Sequence, residues 1–87
     1  MDPSAEVFEA PERVVIAPSA GRVALPPSAS RAEEGEFVLS GESVATVRVG
    51  TAEIPVRTTC RGWLMGFLVL DGQPIAPGAP VAWMRRA

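Results

Sequence analysis

Gly35-Glu36-Phe37-Val38-Leu39-Ser40-Gly41 returns 37 positions later as Gly72-Gln73-Pro74-Ile75-Ala76-Pro77-Gly78. Both stretches read G-x-x-(V/I)-x-x-G, and the match continues downstream, Val44 to Val81 and Val47 to Met84 at the same spacing. Upstream, Gly21-Arg22-Val23 matches Gly62-Trp63-Leu64 at a spacing of 41, which places an insertion of four in the first half, within Pro26-Pro27-Ser28-Ala29-Ser30. A chain that repeats itself once consists of two half-units, neither able to bury its apolar face alone. A glycine on each side of a short apolar strand permits a positive φ, so the chain turns sharply and lays Val38 or Ile75 into a shared core. These glycines therefore belong to the fold rather than to a site, and a β-branched residue at Gly41 or Gly78 is expected to strain its turn.

Between the halves, Ser43-Val44-Ala45-Thr46-Val47-Arg48-Val49-Gly50-Thr51-Ala52-Glu53-Ile54-Pro55-Val56 reads as a hairpin. Gly50-Thr51 as the two central residues suits a type II′ turn. The pairs that follow are Val49 with Ala52, Arg48 with Glu53, Val47 with Ile54 and Ala45 with Val56. Apolar pairs alternate with a charged one, as in a half-buried antiparallel ladder. Pro55 lacks an N–H and belongs at an edge or a bulge.

Working outward, short Val/Ile/Leu-rich runs separated by Gly, Pro and Ser give strands at about 13–16, 21–25, 37–38, 43–49, 52–57, 62–70, 74–75 and 80–84. With 9 Pro and 8 Gly in 87 residues, no long helix fits. The expected class is all-β, built from two half-repeats that face each other. Residues 1–12 mix Asp2, Glu6, Glu9 and Glu12 with Pro3 and Pro11 without a sustained period, so they are expected to form a flexible acidic tail ahead of a domain spanning 13–87. Val7 and Phe8 are that tail's candidate docking residues.

Composition excludes several chemistries. The chain has no His and no Lys, so all eight basic side chains are Arg. That removes the imidazole base, the His-ligated metal, the Schiff base and the amide-linked prosthetic group. Cys60 is the lone cysteine and builds neither a disulfide framework nor a metal cluster. A net charge of −2 argues against binding nucleic acid. The start is acidic and lacks a signal-peptide core, and Trp63–Leu70 is too short to span a bilayer. The expectation is a cytoplasmic protein, not an enzyme, with no cofactor, no metal and no membrane partner.

Ala17-Pro18-Ser19-Ala20-Gly21, Gly35-x-x-Val38-x-x-Gly41-x-x-Val44, Arg61-Gly62-Trp63 and Gly72-x-x-Ile75-x-x-Gly78, in this order and spacing, resemble the biotinyl/lipoyl carrier domain family (biotin carboxyl carrier protein-like). The resemblance covers Val14 to Met84. It implies a flattened barrel-sandwich hybrid of two four-stranded sheets, with a modified lysine at the tip of the central hairpin. In this chain Thr51 stands where that lysine would be, and Gly50 where the preceding Met would be, so the resemblance implies a degenerate member that lacks its attachment point.

The other candidates are read against plainer roles. Trp63, Met65, Phe67 and Val69 alternate with Leu64, Gly66, Leu68 and Leu70, which makes both faces of that strand apolar. Trp63, Met65 and Phe67, extended by Trp83 and Met84, are the candidate interface for a protein partner or for self-association. Arg22 and Arg61 flank equivalent glycines; they are read as two solvated surface arginines, with a shared anion site brought about by quasi-symmetry as the alternative. Cys60, next to Arg61, is either a reactive thiol or a buried structural one. The expected function is that of an unmodified, non-catalytic interaction module, in an acyl-CoA carboxylase-type complex. The alternatives are a noncovalent small-molecule-binding domain and an efflux-adaptor-like piece without its helical hairpin.

Overall fold

The computed structural model describes residues 11–26 and 35–87. The tail residues 1–10, with Val7 and Phe8, and most of the insertion lie outside them. Eight strands follow in order: β1 (Glu12–Ile16), β2 (Gly21–Ala24), β3 (Phe37–Val38), β4 (Ser43–Val49), β5 (Ala52–Arg57), β6 (Gly62–Phe67), β7 (Pro74–Ile75) and β8 (Pro80–Arg86). They form two antiparallel sheets of four strands, ordered β1-β8-β6-β3 and β5-β4-β2-β7.

Reading the two orders side by side exposes the repeat. β1 corresponds to β5, β8 to β4, β6 to β2 and β3 to β7. The hydrogen bonds that tie loops to strands also come in pairs. Val23 N–H donates to Gln73 O (2.9 Å) and Leu64 N–H to Glu36 O (2.8 Å). Gly72 N–H donates to Val23 O, and Gly35 N–H to Leu64 O. Gly41 N–H reaches Thr58 O at 2.9 Å, and Gly78 N–H reaches Ala17 O at 2.8 Å. Gly35, Gly41, Gly72 and Gly78 all take positive φ, as the flanking-glycine pattern requires.

Each sheet turns one face inward. Val15, Val23, Val38, Val44, Val47, Val56, Leu64, Val81 and Met84 fill the space between the sheets. Leu64 and Met84 are the largest of the fully buried side chains, and the rest of the core is mainly valine and alanine. The layer is therefore thin, as expected for a domain that buries only roughly 60% of its unfolded surface. β4 and β8 share one burial pattern, with two successive buried residues near their starts. Register shifts explain this. Val44 is skipped in the pairing with β5 and Val81 in the pairing with β1, so Val44–Ala45 and Val81–Ala82 both point into the core.

Two glycines make the sheets close. A Cβ on Gly21 would collide with the carbonyl of Arg48, and one on Gly62 with the carbonyl of Arg85. Arg48 and Arg85 are themselves equivalent by the 37-residue spacing. The glycine that opens β2 and the glycine that opens β6 thus serve the same close approach.

Four strand ends differ from expectation; β1 starts one residue early, at Glu12, and β2 ends one residue early, at Ala24. β6 stops at Phe67 rather than continuing to Leu70, and β8 runs on to Arg86 instead of ending at Met84. β8 extends because Arg86 N–H donates to Pro11 O and β1 pairs from Glu12, giving the ladder two more rungs.

Candidate functional site

The hairpin closes as the sequence predicts. Val49 pairs with Ala52, Arg48 with Glu53, Val47 with Ile54 and Ala45 with Val56. Gly50 has φ of 60°, and no non-glycine residue among those described has positive φ. A type I′ turn would need positive φ at Thr51 as well, so the turn is type II′. Pro55 sits on β5, an edge strand, where its missing N–H costs no ladder bond. Thr51 is exposed at the tip, beside an ion pair between Arg48 Nε and Glu53 Oε2 at 3.4 Å. The tip therefore presents a hydroxyl and no amine.

The candidate interface is rearranged by one β-bulge. Trp63 pairs with Arg85 and Leu64 with Met84, but Gly66, not Met65, pairs with Trp83. Met65 is the extra residue. Beyond it the strand has changed phase, so Phe67 pairs with buried Ala82 and packs against the core. The structure keeps Trp63 and Trp83 on the outer face, turns Phe67 inward and buries Met84 fully in the core, because successive strand residues face opposite sides. Val69, expected on the same side as Trp63, is also buried.

The outer face also gains residues that the sequence reading did not include. Phe37 on β3 pairs with Trp63, their rings meeting edge to face at 5.3 Å between centroids and 79° between planes. Val14 on β1 pairs with Trp83 and is exposed, with Ile16 exposed further along the strand. The G-x-x-(V/I)-x-x-G repeat carried the missing signal: Phe37 stands where the other half has Pro74, immediately before the core-directed residue.

The outer face of the other sheet provides a control. One row across the first sheet reads Phe37, Trp63, Arg85, Glu12; the equivalent row across the second reads Pro74, Arg22, Arg48, Glu53. The Arg85–Glu12 ion pair, at 3.6 Å, repeats the Arg48–Glu53 pair. In the next row, Trp83 and Val14 stand where Thr46 and Pro55 stand in the second sheet. Identical positions in one fold thus carry aromatic and aliphatic residues on one face and polar or proline residues on the other.

Arg22 and Arg61 do not form a shared site. Arg22 lies beside the hairpin tip on β2, whereas Arg61 precedes β6, its carbonyl accepting from Ala87 N–H. Quasi-twofold symmetry separates them because it exchanges the two ends of the domain instead of superposing them. Cys60 is half-buried against the core as a free thiol. No helix among the described residues is long and apolar enough to cross a membrane.

No family model matches the chain, and no curated protein matches it. Solved structures do. The chain is similar to part of a single-chain, multi-domain long-chain acyl-CoA carboxylase, with a TM-score of 0.74 and 20% identity over 92% of this chain and 8% of that one. It is similar also to part of the Kluyveromyces lactis urea carboxylase, with a TM-score of 0.73 and 21% identity over 88% of this chain and 6% of that one. At these identities the likeness is one of fold. The fold is thus the all-β, two-sheet architecture that the biotinyl/lipoyl resemblance implied, and similar units occur as small parts of large carboxylase chains.

Proposed function

We propose that this chain is a non-catalytic, unmodified carrier-type domain that acts as a protein–protein interaction module in a carboxylase-type assembly in the cytoplasm. The observation that carries this reading is the pairing of a hairpin tip built on Gly50-Thr51 with an apolar outer face confined to one of two equivalent sheets. A threonine hydroxyl does not form the amide that links biotin or lipoate to a lysine, and the chain contains no lysine. The fold therefore works here without its covalent cargo. What it offers instead is Trp63, Trp83, Phe37 and Val14, whose counterparts show that the sheet itself does not require apolar residues at those places. The occupant of that face is a subunit of the larger carboxylase-type assembly, in keeping with the small share of the similar carboxylase chains that this fold covers.

The efflux-adaptor alternative is disfavoured because β4 and β5 are joined by two residues, with no helical insertion at the tip. The test is affinity capture from the native organism with the parent chain and with Trp63→Arg, which installs the residue that the second sheet carries at that place. The expected result is a carboxylase subunit retained by the parent and lost by the variant. Equal retention by both, or recovery of membrane transport components, would overturn the reading.

A further inference from the structure

Arg22 and Arg48 pair directly across β2 and β4 on the outer face of the second sheet. Like charges at opposed positions of neighbouring strands repel. The repeat shows that the fold does not demand this arrangement, because Arg85, the counterpart of Arg48, faces Trp63 in the other sheet. That every base in the chain is arginine makes the residue type uninformative; the placement is informative.

Arg22 and Arg48 both line an open groove of about 530 Å³ beside the hairpin tip, Arg22 leaning toward the β7 side and Arg48 toward β5. Gly21, Gly50 and Gly72 line it and contribute no side chains, so a ligand can approach the backbone. Arg22 Nη1 donates to Gly72 O at 3.0 Å, which fixes its side chain along the groove. A guanidinium has five donor hydrogens, so this bond leaves Arg22 with donors to offer. Arg48 leans on Glu53. Asp71 completes the lining, held by Leu25 N–H donating to its Oδ1 at 2.9 Å.

We propose that this groove binds a small monoanionic carboxylate that carries a hydrogen-bond donor. Arg22 takes the carboxylate through the donors that its bond to Gly72 O leaves, with the planar fork geometry suited to that group, and Arg48 adds positive charge from the groove's edge. Asp71 accepts from the ligand's N–H or O–H. Its negative charge also disfavours a dianion such as phosphate. This inference goes beyond the interaction-module reading and does not depend on it, since the groove lies on the other sheet from the apolar face.

The experiment is an amide-detected NMR titration with N-acetylglycine, acetate and inorganic phosphate as probes. With N-acetylglycine, saturable shifts in the millimolar range are expected at Gly21, Gly50, Gly72 and the Nε–H signals of Arg22 and Arg48. Acetate, lacking the donor, binds more weakly, and phosphate more weakly still. Arg22→Gln weakens N-acetylglycine binding by roughly tenfold or more. Arg57→Gln, at the far end of the same sheet and bonded to Gly41 O, leaves it unchanged. Non-saturating shifts, or equal binding by Arg22→Gln and the parent, would overturn the site. Tighter binding of phosphate than of carboxylate would overturn the ligand class.

Discussion

Trp63 and Arg22 occupy the same place in the two halves of one repeat. Each follows a glycine pressed against an arginine carbonyl, and each lies between its sheet's two-residue strand and an arginine on the long neighbouring strand. One position has thus been given opposite chemistry on the two faces of a single domain.

Exchange of the two residues separates their structural from their surface roles. Trp63→Arg loses the edge-to-face contact with Phe37, about 0.5–1.5 kcal/mol, and part of the apolar area that Trp63, 41% exposed, covers on its neighbours. A folded variant with a thermal midpoint lowered by roughly 5–10 °C is expected. Collapse of the fold in this variant would mean that the aromatic pair is structural and that the face is not free for binding.

The close approaches predict unequal glycine sensitivities. Gly62→Ala places a methyl against backbone that is itself held in the β6–β8 ladder and costs about 1–3 kcal/mol. Gly41→Ala meets no neighbouring atom, so its cost is that of a positive φ alone, about 1 kcal/mol. Chemical denaturation of the pair decides the matter; equal midpoints would refute the crowding at Gly62.

Leu64 is fully buried in a core otherwise made mostly of small side chains. Leu64→Ala is expected to lower stability by about 2–5 kcal/mol, because thin layers of valine and alanine have little freedom to collapse into the space. A loss below about 1 kcal/mol by calorimetry would contradict the packing described here.

The two symmetry-related ion pairs are expected to contribute little. Both join exposed side chains, and such pairs are worth about 0–1 kcal/mol. Glu53→Gln and Glu12→Gln should each leave the unfolding midpoint nearly unchanged, with the same insensitivity to added salt. A large, salt-dependent loss in either variant would show that the pair secures the hairpin or the β1–β8 ladder.

Intact mass of the native protein is expected to equal that of the bare polypeptide. Thr51→Lys fits the turn, being exposed with φ on the negative side, yet has Gly50 where the resemblance implies the preceding Met. Incubation with a biotin ligase is expected to leave it unmodified. Efficient labelling would show that lysine was the single missing element.

Much of this was legible in the residues. The hairpin register followed from alternating apolar and charged pairs around Gly50, and the division into two halves followed from the glycine-framed repeat, because both signals are local and have a fixed period. What escaped was phase. The bulge at Met65 is a single unpaired residue in an uninterrupted apolar run, where no polar residue marks the change of face, so Phe67 appeared to continue the line of Trp63. The groove escaped for another reason. Its members come from β2, the β4–β5 turn and the loop before β7, and they become neighbours only once Arg22 is written opposite Arg48.

The repeat that pairs Glu53 with Arg48 across a closed turn pairs Glu12 with Arg85 where the backbone stays open. Pro11 and Arg86 lie within one hydrogen bond of each other, at the place where the other half is bridged by two residues. Entry and exit are therefore adjacent, and the strand order would survive circular permutation: a short link from Arg86 to Pro11 and a new opening at Gly50-Thr51 yield the same two sheets. A unit whose ends meet in this way can be spliced into a loop of a much longer polypeptide without stretching its host.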